Sequence, residues 1–574
     1  MQRLLRYART LAGLSAEQLA FQVWRRVQGA PLPRTPSVQA APGAFWEALG
    51  ARLRAAPPPE GWDGPAIADA AIAGTWHLLG APTAVGESLD WSRRVGRPLH
   101  SFHLQYHEQL RALAWSVVRT GDERALHTIT SVVSRWMETT RQGRGDAWHP
   151  YPISVRVMVW VEVLALVGTQ LPTQIRRAML ASLASQLDVL ARRRERQIAA
   201  NHLQRNDAAL AIGGLAFTGA AATRWTQVGL RSTWRALERD VLPDGMHIEL
   251  SPMYHAGMLS DVLRVIECCE SAGETVPATV RARISQMASA LRLMTRLDGT
   301  LHQFNDTAAG IAPPTHWLVE RASRVAQTSS AAVPEPAWLL PDAGYAGVHD
   351  PARDLQLVFD AGAAGPRHQP GHAQCDALSF ELCLAGAPVI VNAGVHGYDM
   401  DPYREYSRST RGHNTVQVGT LEQHEVWATF RTARFGTVTG PRVESDEPWR
   451  VSGSVIGYAG SSHQRQLELH ADDMLQITDV VSGPAGETAR VRLLFHPSFT
   501  VTFDGARIVA RSSRVEVLVS VPEGVVTRVV HGERAGAEGW YFPTFGVAQV
   551  AACVVMEHTL PAPPLVTVLR WRMM

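Results

Sequence analysis

The sequence of 574 residues contains no lysine, so all 55 of its Lys+Arg total are arginine. Arginine's planar fork suits carboxylates and sulfates, but a GC-rich genome produces the same bias, so this absence alone names no ligand. Cysteine is scarce: Cys268, Cys269, Cys375, Cys383 and Cys553, with no CxxC pair. That argues against a disulfide frame or a cysteine-zinc site and reads as buried free thiols. No window reaches eighteen uninterrupted apolar residues; the nearest, Val155 to Gly168, is broken by Arg156 and Glu162, so no membrane span is expected. The opening stretch "MQRLLRYARTLAGLSAEQLAFQVWRRV" lacks the apolar core and small-residue cleavage site of a secretory signal. It reads as an amphipathic helix packed on the body, and a cytoplasmic address follows, or a periplasmic one if the start codon is mis-called. Charge of one sign is also lacking: at +2 no global field marks a nucleic-acid binder. The 33- and 34-residue repeat signatures are absent, which disfavours a solenoid.

What is present divides into two textures. A globular composition of this length calls for two or three domains. Over residues 1–330, segments such as "LHSFHLQYHEQLRALAWSVVRT", "PISVRVMVWVEVLALVG", "PTQIRRAMLASLASQLDVLARRRERQ" and "HAGMLSDVLRVIECCESAG" place apolar residues near i, i+3, i+4 and i+7. About ten antiparallel helices with short links predict helical hairpins around a common centre. A Pro/Ala/Ser-rich stretch, "TSSAAVPEPAWLLPDAG" (328–344), reads as a linker. Over residues 331–574, short Val-, Leu- and Thr-rich runs ("LQLVFDAG", "ALSFELCLAG", "APVIVNAG", "LQITDVVSG") predict an antiparallel β-sandwich. The fold class is α+β multidomain, helical first and β second.

Four polar clusters interrupt these elements: "WHPYPISVR" (148–156), "NHLQRND" (201–207), "PDGMHIELSPMYH" (243–255), and "GHAQCDALSFEL" (371–382) with its partner "YREYSRSTRGHNTVQV" (403–418). Asn201 opens a helix, where asparagine is a good cap. Ser251-Pro252 is a helix-start signal that puts Tyr254 in the first turn beside the preceding loop. Taken singly, Tyr254 reads as a half-buried aromatic with its hydroxyl satisfied, His372 as a turn residue, and Arg404, Arg408 and Arg411 as a solvated face. Asp306 in "FNDT" reads as a cap.

In this order the clusters, with "DGTLHQFNDT" (298–307), "HEVWATFRTAR" (424–434) and "SSHQRQLEL", resemble the heparinase II/III-like polysaccharide lyases, a family that includes alginate and other uronate lyases. The resemblance implies an incomplete (α/α) toroid followed by an antiparallel β-sandwich with the substrate cleft between them. It implies a polysaccharide lyase that cleaves an acidic, uronate-containing polysaccharide or oligosaccharide by β-elimination, leaving a 4,5-unsaturated end. Removing the proton alpha to a uronate carboxylate builds negative charge there, which donors must meet. The resemblance gives that task to Asn201, with His202 beside it, and the acid's role to Tyr254. Either Tyr254 or His372 is the base. Many members hold a metal, often zinc, in the β-domain through a second histidine, an aspartate and a later histidine. Here those positions hold Gln374, Asn392 and His413, a poor set for zinc; no metal or other cofactor is expected, and mutual hydrogen bonds are expected in its place. Arg156, Glu249, His255, Tyr406 and Arg411 are candidates for sugar contacts or for orienting the catalytic groups, and Trp148, Trp160 and Trp427 for stacking on sugar rings. The alternative is a catalytically impaired glycan-binding homologue associated with exopolysaccharide or capsule biosynthesis. A glycoside hydrolase would need two facing carboxylates, and Glu249 with Asp376 makes no convincing pair. Polymer identity, endo or exo mode and oligomeric state stay open.

Overall fold

In the computed structural model, which describes residues 2–29, 33–86, 88–327, 336–505 and 507–574, fifteen α-helices precede residue 328 among the described residues. That exceeds the expected ten for local reasons. The segment 99–120 is two helices, Pro98–Tyr106 and Gln109–Thr120, because His107 takes a left-handed conformation (φ 61°). The opening amphipathic stretch is also two, Gln2–Ala12 and Ala16–Gln28, separated by a capping box on Ser15 and Gln18.

Four successive hairpins carry the helical region: Gln109–Thr120 with Glu123–Thr139, Pro150–Val167 with Thr173–Arg193, Ala200–Leu215 with Ala220–Asp240, and Pro252–Ala272 with Ala278–Leu293. The first helix of each pair also packs on the first helix of the next, so these four form an inner wall and their partners an outer one. Composition explains the sorting. Pro150–Val167 is apolar on every side and buried nearly throughout, whereas Glu123–Thr139 buries a single stripe of Ala125, Ile129, Val132, Val133 and Trp136. Pro150–Val167 is also the one helix among the described residues long and apolar enough to cross a membrane, and it is enclosed by other helices. The layout is the incomplete toroid expected.

From Ala337 onward the described chain is mainly antiparallel sheet, with one short α-helix, Pro402–Arg408. Residues 328–335 of the expected linker lie outside the described residues; Ala337–Leu340 within it is an edge strand, paired with Tyr345–Asp350. A five-stranded sheet (337–390) is followed by an eight-stranded sheet running from Thr437–Asp446 to Thr500–Phe503, and by a four-stranded sheet built on Thr488–Leu494 and Ala552–Thr559. Strands such as Trp449–Ile456 alternate buried and half-buried residues. Their inward side chains, among them Val451, Leu467 and Leu569, share one core with Phe359, Phe380 and Val491 of the other two sheets.

The two halves meet along the segment 294–307. Met294 and Phe304 pack with Leu250 against Trp338, Tyr345 and Val358. Arg296 clamps Glu381 through bonds of 2.8 and 3.0 Å, and His302 Nδ1 donates to the same carboxylate at 2.7 Å. Burial alone would raise the Glu381 carboxyl, but Arg296 and His302 outweigh it and hold the group at about 2, against 4.5 ordinarily. A depressed carboxyl contributes stability that is complete above its unfolded value and lost as pH falls towards the folded one. Denaturant titrations from pH 5 to pH 2 are therefore expected to show a loss of about 3 kcal/mol from this group. Glu381→Gln should lack that step, and an unchanged slope in the variant would exclude the clamp as its source.

Candidate active site

A cavity of about 710 Å³ lies where the inner helical wall faces the β region. Asn201, His202, Tyr254, His372 and Tyr398 all line it, with apolar neighbours such as Phe102, Phe430 and Phe545. Sequence positions 171 residues apart thus share one surface.

The helical wall is built by two helix starts. Ala199 (φ 65°) and Ala200 (φ 39°) both take positive φ, which costs about 1–3 kcal/mol each in residues other than glycine. They turn the chain so that the helix Ala200–Leu215 begins at the cavity with Asn201 and His202 in its first turn. Asn201 is not the cap expected; Ala199 occupies that position and makes no side-chain bond. The Asn201 amide instead donates to Glu249 Oε1 and Oε2, both at 3.0 Å, and to His372 Nε2 at 3.2 Å. His202 Nδ1 donates to the buried Glu195 at 3.3 Å, and its ring lies 4.5 Å from Tyr151. Burial would raise Glu195, but His202 and His149 hold it at about 2. At the second start Ser251 caps the Tyr254 amide and donates its own hydroxyl to the Asp306 carbonyl at 2.7 Å, tying this wall to the bridging segment.

The β wall contributes His372, from the loop before the strand Phe380–Leu384. Its Nδ1 donates to Asp306 Oδ2 at 3.0 Å. Asp306 is also held by Arg404 through bonds of 2.5 and 2.8 Å and by Gln374 Nε2 at 2.8 Å. Burial opposes ionisation of Asp306, yet Arg404 and His372 together keep its carboxyl well below the usual range. A charged carboxylate can only accept, so the proton of neutral His372 sits on Nδ1 and its lone pair on Nε2, facing the Asn201 amide and the cavity. The His372 ring stacks on Tyr254 with centroids 3.8 Å apart and planes 26° apart. The Tyr254 and Tyr398 hydroxyls lie 2.8 Å apart, and burial pushes both phenols well above 10, so both are protonated at neutral pH. The arrangement offers a fixed imidazole lone pair, a protonated phenol and an amide around one point, the elements of a proton abstraction coupled to proton donation.

Several expected contacts are elsewhere. Arg156 is wholly buried, donates to Gln186, to the Gln105 and Ala147 carbonyls, and covers the Trp136 ring at 4.3 Å. His255 is a core histidine between the His247 amide and the Met287 carbonyl. Tyr406 packs in the β region near Phe542, and Trp148 stacks on Trp136. Trp160 is buried against His107, and Trp427 packs on Tyr7 of the first helix. Arg411 is half-buried near Glu538. None of these seven lines the cavity. Glu249 stands behind Asn201 as its anchor, and Asp376 accepts from the Asn305 amide at 2.7 Å, so neither carboxylate faces the cavity as a glycosidase pair would. Arg404 and Arg408 are buried, not a solvated face.

Asp306, read as a cap, is the orienter of His372, and Tyr398 and Arg404 escaped notice as site residues. Tyr398 left one trace in the sequence, an aromatic in the glycine-containing loop "NAGVHGYDMD". At the metal-ligand positions His413 Nδ1 contacts Asn392 Oδ1 at 3.1 Å as expected, but Gln374 reaches Asp306 and bonds neither of the others. Both His413 nitrogens face oxygen acceptors, Asn392 and the Ser407 carbonyl, and Gln374 and Asn392 are neutral amides. These residues do not fit a zinc ion.

Comparison with known proteins agrees with this layout. Residues 69–313 match the family model described as heparinase II/III N-terminus, and residues 332–566 match heparinase II/III-like, C-terminal. The heparin-sulfate lyase of Pedobacter heparinus is 25% identical over 251 residues, which is 38% of this chain and 36% of that protein, so the match spans little more than a third of the relative. The crystal structure of heparinase III aligns with a TM-score of 0.73 at 16% identity, covering 95% of this chain and 88% of that one. Heparan sulfate lyase HepC from Pedobacter heparinus aligns at 0.58 and 18% identity, covering 89% and 83%. At these identities the structural likeness carries the fold.

Proposed function

The chain belongs to the heparinase II/III-like family, and from that we propose that it is a polysaccharide lyase that cleaves a uronate-containing glycan by β-elimination. The observation that carries the reading is the imidazole lone pair of His372, fixed by Asp306 and stacked 3.8 Å from a protonated phenol. His372 Nε2 removes the proton at C5, and Tyr254 gives its hydroxyl proton to the leaving oxygen at C4. Tyr398 holds that hydroxyl in place. Asn201 has a further part. In the resting site it spends a hydrogen on His372 Nε2. Once Nε2 is protonated it can no longer accept, so that hydrogen is released to the substrate carboxylate as charge builds there. The two Pedobacter heparinus relatives named above are lyases, so a binder without turnover is not favoured.

Stacking places base and acid on one side of the sugar. A syn elimination follows, which requires the C5 hydrogen and the C4 oxygen to be cis. Uronates of that configuration are expected to yield the unsaturated product, read by the ultraviolet absorbance of its conjugated double bond, and their C5 epimers to react more slowly. Alginate, heparan-type, hyaluronan-type and capsular glycans form the test panel. No unsaturated product from any of them would falsify the lyase reading, and faster cleavage of the epimer would reverse the stereochemistry.

A further inference from the structure

A second pocket, of about 110 Å³, lies between the helix Ala16–Gln28 and the arginine-rich end of Thr173–Arg193. The family match begins at residue 69, so the first of these helices lies ahead of it. Most arginines here are accounted for. Arg192 bonds Asp188, Arg194 clamps Asp207 and Ser232, and Arg196 lies 4.9 Å over the Phe21 ring with Glu17 at 3.8 Å. Arg25 and Arg193 differ: both are half-buried, and among the described residues neither makes a side-chain hydrogen bond or an ion pair within 4 Å, Glu195 attracting Arg193 only from farther away. Burial, then the charge of Arg25, draws Arg193 below its ordinary value. Beside them Trp24 leaves 54% of its surface exposed.

Two partly desolvated cations lining one small pocket raise each other's free energy, and an anion between them reverses the sign. Guanidinium forks match carboxylates and sulfates in shape, and an exposed indole offers a flat face to a sugar ring. The pocket is also tied to the cleft. Glu195, next to Arg194, holds the cleft residue His202, and the eight-residue step from Arg193 to Asn201 limits the separation to about 28 Å. We propose that Arg25, Arg193 and Trp24 form an accessory subsite for the carboxylate or sulfate of a sugar several units from the scissile bond. The proposal rests on the lyase reading for its polymer, and its test does not require turnover.

The test is equilibrium binding by calorimetry to the full chain carrying Tyr254→Phe, so that ligand is not consumed. The probes are an alginate-derived hexamer, with carboxylates only, a heparin hexasaccharide, with sulfates as well, and the matching disaccharides. Arg25→Gln with Arg193→Gln is expected to weaken binding of at least one hexamer about tenfold and to leave its disaccharide unchanged. The hexamer that loses affinity identifies the anion. Removing the repulsion should hold or raise Tm, and Arg25→Gln alone gives the same direction if the double variant folds poorly. Unchanged affinity for both hexamers overturns the subsite, as does equal weakening of hexamer and disaccharide, which would place the effect in the cleft. A chain that yields no unsaturated product but shows the hexamer-specific loss would sink the lyase reading and keep the subsite.

Discussion

Tyr254→Phe is expected to lower kcat by about 10²–10⁴-fold, the usual contribution of a positioned acid, while KM and Tm change little. The substitution removes one oxygen and leaves the ring on His372. It also breaks the 2.8 Å bond to Tyr398, whose own hydroxyl still lines the cavity and is free to find water. The loss should fall on kcat because the leaving oxygen needs its proton only in the transition state. The pH profile adds a signature. An acid must be protonated to act, and burial holds the Tyr254 phenol well above 10, so wild-type activity should show no alkaline limb from this group below that value. A substrate with a good leaving group at C4 needs less help and should rescue the variant in part. Undiminished turnover of an ordinary glycan by Tyr254→Phe would remove the phenol from the chemistry.

Asp306→Ala is expected to damage folding and activity together. Arg404 is almost wholly buried, and Asp306 is its carboxylate. Removing one partner of a buried pair leaves the other charge uncompensated and costs about 3–5 kcal/mol. A shift of that size in the denaturant midpoint is readily measured. Asp306→Asn separates the two effects. An amide keeps the volume but can donate as well as accept, so the proton of His372 is no longer confined to Nδ1, and the lone pair leaves Nε2 for a share of the population. The variant is expected to retain more stability than Asp306→Ala and to lose kcat without a matching rise in KM. Nitrogen chemical shifts of the His372 ring should report the mixed tautomer. If Asp306→Asn kept both kcat and the Nδ1-protonated signature, the orienting role would be wrong.

Legibility was uneven, for physical reasons. The clusters holding Asn201, Tyr254 and His372 are visible because each interrupts an apolar pattern; singly the three read as a cap, a half-buried aromatic and a turn residue, and the family resemblance is what singles them out. Arg156, His255, Trp148 and Tyr406 lie in the same polar clusters, and in the fold they pack away from the cavity. Each satisfies core hydrogen bonds or fills core volume, and polarity in sequence does not say which side of a wall a residue faces. Asp306 failed in the other direction: a short acidic loop looks like a cap, and only the approach of Arg404 and His372, 98 and 66 positions later, makes it an orienter. Arg404 carried no local pattern that would separate it from a surface residue, and Tyr398 only its place in a glycine-containing loop.

The sequence by itself determined that helices come first and sheets second, because periods of 3.6 and 2 are local properties of the chain. It determined as well which three side chains converge, through cluster order and family resemblance. Tertiary structure alone decided the carboxylate that His372 Nδ1 meets, the stacking of its ring on Tyr254, and the meeting of Arg25 and Arg193 at one pocket. Each of these depends on the distance between groups far apart along the chain, and that distance is set by how helices and sheets pack on one another.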